Sequence, residues 1–220
     1  MKWINNFLVY QIPFYIYKLN TGDAIVYTID KKKTKSFIIL NGVIFLLKIF
    51  TNEETLSLAI LNKNHLIDTQ NNIEERYSYY KAIALEETYI MSFQVKDFIY
   101  NSNISKNIKL SINLIESYKK TMQRYEEMNR ILTHKYIKYR VIQFILFLCE
   151  NFSGINKKKI VITFHIPQIM ISIITGSNKV TISKIIRELC YKMLIEYSNQ
   201  RVIYITDPFA LSYFISKKLQ

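Results

Sequence analysis

The chain has 220 residues, half of them hydrophobic, which is long for one small domain and enough for two modest cores. Its formal net charge of +13 points to an anionic partner, nucleic acid or a membrane surface, although 24 of the 30 basic residues are lysine, the bias of an AT-rich genome. Composition excludes a disulfide framework: Cys149 and Cys190 sit in apolar helical patterns and read as buried core thiols.

The opening "MKWINNFLVYQIPFYIY" is aromatic and lacks the small-residue exit site of a cleavable signal peptide. From Tyr17 to about Phe98 the pattern is β. "SFIILNGVIFLLKIF" has β-branched and aromatic runs broken at Asn41-Gly42, a strong turn signal. "TGDAIVY", "TLSLAILN", "YYKAIALEE" and "TYIMSFQV" read as further short strands, together predicting an antiparallel sandwich or barrel. Residues 62–76, "NKNHLIDTQNNIEER", read as a long polar loop between strands.

Past Asp97 the texture turns helical. "NIKLSINLIESYKKTMQRYEEMNRIL" has neither Gly nor Pro, and Leu114, Tyr118, Met122, Tyr125, Met128 and Leu132 recur every three or four residues. Such a seam serves either a core-facing helix or a two-helix dimer interface. A second helix follows in "KYIKYRVIQFILFLCENF", ended by a solvated loop over residues 153–159. A strand over 160–164 and a helix opening near Pro167 come next. The apolar window 160–174 is broken by Thr163, His165, Pro167, Gln168 and Ser172, so it falls short of the roughly 20 apolar residues of a membrane span. A soluble protein of a reducing compartment is expected, with no membrane partner.

The stretch "ITGSNKVTISKIIREL" then carries the most specific pattern. With Ser177 opening a helix, Ile182, Ile185, Ile186 and Leu189 form one apolar face. Lys179, Ser183 and Arg187 line the opposite face, with Val180 and Lys184 beside them. "MLIEYSNQRVIYITDP" adds a β-hairpin around Ser198-Asn199-Gln200. Helix, glycine turn at Gly176, basic amphipathic helix and hairpin is the order of a winged helix-turn-helix. Charge agrees: residues 134–220 hold 13 basic against 4 acidic side chains, and residues 1–133 hold 17 against 13.

The segment "ITGSNKVTISKIIRELCYKMLIEYSNQRVIYITDPFALSYFIS" closely resembles the DNA-binding domain of the Crp/Fnr transcription regulators, most of all their nitrogen-control (NtcA) branch in cyanobacteria and red-algal plastids. Gly176-Ser177, Val180-Thr181, Leu194-Ile195, Asp207-Pro208 and Ala210-Leu211-Ser212 match the motifs, as does "RVIQFILFLCENF" before them. "FIILNGVIFLL" is similar to the strand–Gly–strand signature of the cyclic-nucleotide-binding-like jelly roll. The resemblance implies an α+β chain in three parts: a jelly-roll sensor domain (1–103), a dimerisation helix (104–133) and a winged helix-turn-helix (134–220).

It also implies roles for residues. Lys179 and Lys184 stand where relatives read base edges with arginine, and Val180 is placed to touch a thymine methyl. Ser177, Asn178 and Thr181 lie at the helix start, where relatives hold phosphates, with Ser183 and Arg187 further along the same surface and Arg201 on the hairpin. Lysine for arginine weakens bidentate guanine reading. Cyclic nucleotides are not expected, because the Gly-Glu and Arg-Ser/Thr-Ala phosphate cassette is missing from "HLIDTQNNIEERYSYYKA". The nitrogen-control branch implies 2-oxoglutarate as effector, with Arg76 as loop arginine and Glu126 as acidic partner on the dimer helix, where the branch's arginine falls on Thr121 and Lys120 or Arg124 is its candidate substitute.

No metal or other cofactor is expected: His65, His134 and His165 are isolated, and the sequence holds no pair at ligand spacing. The implied partners are double-stranded DNA, a second copy of the chain and RNA polymerase. The implied location is the plastid stroma or, alternatively, a bacterial cytoplasm. Two rival readings stay open, a non-specific nucleic-acid-binding architectural protein and a cupin-like metal enzyme.

Overall fold

A computed structural model describes residues 2–27, 35–67, 78–100, 108–156, 159–200 and 202–216. The chain divides into two compact units, Met1–Glu126 and Glu127–Gln220.

In the first unit, α1 (Lys2–Val9) precedes, among the described residues, eight strands: β1 (Phe14–Leu19), β2 (Ala24–Tyr27), β3 (Lys35–Asn41), β4 (Ile44–Phe50), β5 (Thr55–Leu61), β6 (Leu66–Ile67), β7 (Ser78–Ala84) and β8 (Thr88–Gln94). They form two four-stranded sheets, in the orders β1-β8-β3-β6 and β2-β7-β4-β5, with every pairing antiparallel. This is a jelly roll. Asn41-Gly42 is therefore not a hairpin turn. β3 pairs with β8 and β6, β4 with β7 and β5, so the glycine carries the chain from one sheet to the other. Gly42 has φ +94°, and a Cβ there would lie 2.3 Å from Thr88 Oγ1 and 2.7 Å from the Glu87 carbonyl. Only glycine fits.

Strands β3 and β8 carry apolar side chains on both faces because both faces are covered. Phe37, Ile39 and Ile90 turn inward to pack with Ile44, Leu46 and Leu61. Ile38, Met91 and Phe93 turn outward and are covered by Trp3 and Phe7 of α1 and by Leu110 of α3 (Ile108–Leu132). The spacing of the opening aromatic residues did not announce α1, whose role as a cover is visible only in the fold. The β region also closes earlier than expected, since α2 (Val95–Tyr100) begins directly after β8. The polar stretch 62–76 contains β6, and its remainder from residue 68, Arg76 included, lies outside the described residues.

The long helix α3 forms as expected, and the seam read from its periodicity is divided, with Tyr118 on the exposed side. Leu114 packs on the outer cluster, Tyr125 packs on the inner core, and Met128 is buried. Asn113, Ser117 and Thr121, small and polar, are also buried. The Thr121 hydroxyl accepts from the Leu66 amide (3.1 Å) and donates towards the Leu66 carbonyl (2.8 Å), the Ser117 carbonyl lying at 3.1 Å. It thus serves β6 as a neighbouring strand would. Ile108, Ile112, Ile115 and Tyr118 are left exposed.

The second unit contains α4 (Ile137–Phe152), β9 (Ser153–Asn156), β10 (Lys159–Ile162), α5 (Gln168–Thr175), α6 (Lys179–Tyr191), β11 (Ile195–Tyr197), β12 (Ile203–Ile205) and α7 (Pro208–Ser216). Its sheet runs β11-β12-β10-β9. The expected solvated loop over 153–159 is corrected: Ser153–Asn156 pairs with β10, which satisfies the backbone that a loop would leave to water. Cys149 and Cys190 are half-buried rather than buried, and burial beside Glu150 pushes the Cys149 thiol up. Asp207 caps α7 by accepting from the amides of Phe209 (2.8 Å) and Ala210 (3.2 Å), with Pro208 at the first helical position. No single helix among the described residues is long and apolar enough to cross a membrane.

Candidate nucleic-acid interface

The geometry of α6 begins with the turn before it. Gly176 lies in the left-handed region (φ 64°, ψ 47°), and the Ser177 amide donates to the Ser172 carbonyl at 2.8 Å. Between α5 and α6 the chain bends by 108°, within the range of helix-turn-helix pairs. Arg140 of α4 braces this turn, its guanidinium donating to the carbonyls of Thr175 (3.3 Å) and His134 (2.8 Å). Sequence reasoning missed this role, though Arg140 opens the quoted motif.

Ser177 does not open α6. Asn178 does, its side chain accepting from the Thr181 amide at 2.8 Å, while Ser177 stays in the turn. The apolar face is as read: Ile182, Ile185, Ile186 and Leu189 are all buried. Glu188 adds a polar tether, with Lys138 of α4 at 2.6 Å and Lys192 at 3.6 Å. The Lys138 hydrogen bond holds the Glu188 carboxyl below its usual range.

With that face fixed inward, Lys179, Val180, Lys184 and Arg187 are exposed, Val180 at 66%. Asn178 is exposed, and Ser177, Thr181 and Ser183 are half-buried at the same end and side. An apolar valine held out among cations has no packing role in this unit. Arg201 lies outside the described residues, between β11 and β12. Lys179 also lines a concavity of about 500 Å³ with Pro167, Gln168, Ile169, Tyr197, Ser198 and Asn199. Gln168, Ser198 and Asn199 are additions to the sequence-based set. The helix start at Pro167 and the hairpin tip were visible in the sequence, but not their meeting beside Lys179.

Of the two effector residues, Glu126 alone lies among the described residues. Glu126 is exposed on α3, Arg76 lies outside the described residues, and the Thr121 hydroxyl is committed to Leu66. Among the described residues, no three His, Cys, Asp or Glu side chains converge to hold a metal ion. His65 is buried, and desolvation, with Arg124 and Lys120 nearby, pushes its pKa down.

Comparison with known proteins finds no matching family model. The chain is 27% identical over 218 residues to an HTH-type transcriptional regulator (ycf28) of Porphyra purpurea, covering 98% of this chain and 88% of that one. It is 22% identical over 204 residues to the Global nitrogen regulator of Synechococcus elongatus, covering 92% and 90%. Among solved structures, CooA of Carboxydothermus hydrogenoformans superposes with a TM-score of 0.71 at 18% identity, over 91% of this chain and 87% of that one. A CRP/FNR-family transcriptional regulator of Thermus thermophilus gives 0.68 at 17%, over 92% and 98%. The α+β fold expected from the sequence is thus the fold of these regulators, and the resemblance holds along nearly the whole chain.

Proposed function

We propose that this Crp/Fnr-like chain is a DNA-binding transcription regulator of nitrogen-related genes that acts as a homodimer and reads a specific sequence. The cyanobacterial and red-algal relatives support the regulator and its nitrogen role. One observation supports the mode of reading: α6 buries Ile182, Ile185, Ile186 and Leu189 and leaves Lys179, Val180 and Lys184 exposed, across a 108° bend from α5.

In this reading α6 enters a major groove, Lys179 and Lys184 donate to base-edge acceptors, and Val180 packs on a thymine methyl. Ser177, Asn178, Thr181, Ser183 and Arg187 hold flanking phosphates, joined by Arg201 from the hairpin. The exposed isoleucines of α3 supply the dimer face, which sets two recognition helices about 34 Å apart. The three-part division at residues 103 and 133 belongs to this proposal, as do contact with RNA polymerase and a plastid-stromal or bacterial-cytoplasmic setting. For the effector, 2-oxoglutarate on Arg76 and Glu126 is the pairing to test by calorimetry, and loss of heat in Arg76→Ala is its expected signature.

Lys179→Ala and Lys184→Ala are each expected to cost about 1–3 kcal/mol on the preferred site and to flatten the preference for it. Arg201→Ala is expected to weaken all duplexes alike and to lower the salt slope by about one. Equal losses on specific and random duplexes for the two lysine variants would overturn base reading and favour the architectural alternative.

A further inference from the structure

A groove of about 710 Å³ opens on the outside of the first unit, away from the interior of the jelly roll. Its apolar wall is Trp3 and Ile4 of α1, Ile16 of β1, Leu40 of β3 and Tyr89 of β8. The volume lies in the range of small-molecule sites, about 300–1,000 Å³. The groove shares Lys2, Trp3 and Asn64 with a smaller cavity of about 60 Å³, also lined by Asn113, Glu116, Ser117 and Lys120.

The small cavity is chemically unfinished. Asn113 is 8% exposed, and its Oδ1 accepts from Lys2 Nζ at 2.7 Å. That bond fixes the orientation of the amide, so Nδ2 is the free end, and it has no hydrogen-bond partner. A buried N–H₂ left unpaired is destabilising, and an acceptor in the cavity would relieve that. The surrounding charge selects the acceptor. Lys2, Lys63 and Lys120 line the two adjoining spaces against one carboxylate, Glu116. The Lys2 ammonium keeps two protons beyond the one given to Asn113.

We propose that this pair of cavities binds an amphipathic carboxylate. The carboxylate accepts from Asn113 Nδ2 and Lys2 in the small cavity, near Lys120, and the alkyl or aryl body lies along Trp3, Ile4, Ile16, Leu40 and Tyr89. The occupant is walled by α1 and α3 together, so binding ties these helices and raises the stability of the first unit. The proposal stands on the first unit alone and does not depend on DNA binding.

Trp3 is the sole tryptophan of the chain and lines both cavities, so its fluorescence reports occupancy directly. Octanoate is expected to give a saturable change in Trp3 emission, with 1-octanol, which shares the tail but has no charge, at least about tenfold weaker. Asn113→Leu is expected to weaken octanoate by about tenfold or more, the loss that follows removal of a buried hydrogen bond to a charged group. Circular dichroism checks that this variant folds. If it does not, Lys120→Gln, a change at an exposed side chain, takes its place with the same direction expected. Equal response to octanoate and octanol, no saturation with octanoate, or undiminished binding by the folded variant would each overturn the assignment.

Discussion

Helices α3 and α6 are both amphipathic by sequence, yet α6 buries its whole apolar stripe while α3 divides its apolar residues between two sides. In α6, Ile182, Ile185, Ile186 and Leu189 are buried. In α3, Leu110, Leu114 and Tyr125 pack on the jelly roll beside buried Asn113, Ser117 and Thr121, while Ile108, Ile112 and Ile115 face out. The reason lies in what each helix meets. α6 lies in a unit whose helices α4 and α5 offer apolar side chains such as Ile145, Leu148 and Ile171. Where α3 meets β6 it faces main chain, which needs hydrogen bonds, and a hydroxyl supplies them where isoleucine cannot. Apolar periodicity therefore shows that a helix has a partner, and the partner's chemistry decides which face it takes.

The sharpest way to break this comparison is to spoil the outward face of α3. Ile112→Glu with Ile115→Glu is expected to leave the first unit folded, to give monomers in sedimentation, and to weaken binding to a two-half-site duplex by roughly 100-fold or more, the usual scale of lost bivalency. A dimer that survives would remove this face from the interface. Tyr125, part of the apolar seam read from sequence, is a poorer choice because it packs on the core of its own unit.

On α6 the same logic runs inward. Ile186→Ala is expected to cost about 2–5 kcal/mol in denaturant unfolding of the second unit, with DNA affinity falling only through loss of folded protein. On α3 the matching inward change is polar. Thr121→Val should cost about 1–3 kcal/mol, because the amide and carbonyl of Leu66 lose their partner, and a urea titration followed by Trp3 emission would register it. A neutral Thr121→Val would mean that the apolar neighbours alone hold α3.

The smallest expected effect concerns acidity. His65, beside β6, has its pKa pushed down by burial, so the unfolded chain binds its proton more readily. The native state is expected to lose stability as pH falls below about 6.5 and on through the lower folded value, with no contribution above 6.5. The carboxylates Glu87 and Glu188, lowered by Lys18 and Lys138, add acid sensitivity only further down, below about 4.5. Replacing His65 with glutamine should flatten the first of these slopes and leave the second.

What the sequence made legible follows the same division. The turn at Gly176, the stripe of α6 and the strand runs of the jelly roll rest on local spacing, and they could be read directly. The covering helix α1, the role of Gly42 as a step between sheets, the brace from Arg140 and the Thr121–Leu66 bonds join residues far apart in the chain. Single-sequence periodicity holds no signal for such pairs. Gln168 and Asn199, on separate elements, come to one concavity only through the fold.

The central claim is that two copies of α6, spaced by α3, read DNA in adjacent major grooves. Selection of bound duplexes from a fully random pool tests it most directly. The expected product is an inverted repeat whose half-site centres lie about one helical turn apart, roughly 10–10.5 base pairs. Recovery of duplexes with no shared motif, or of a lone half-site bound by one copy, would contradict it.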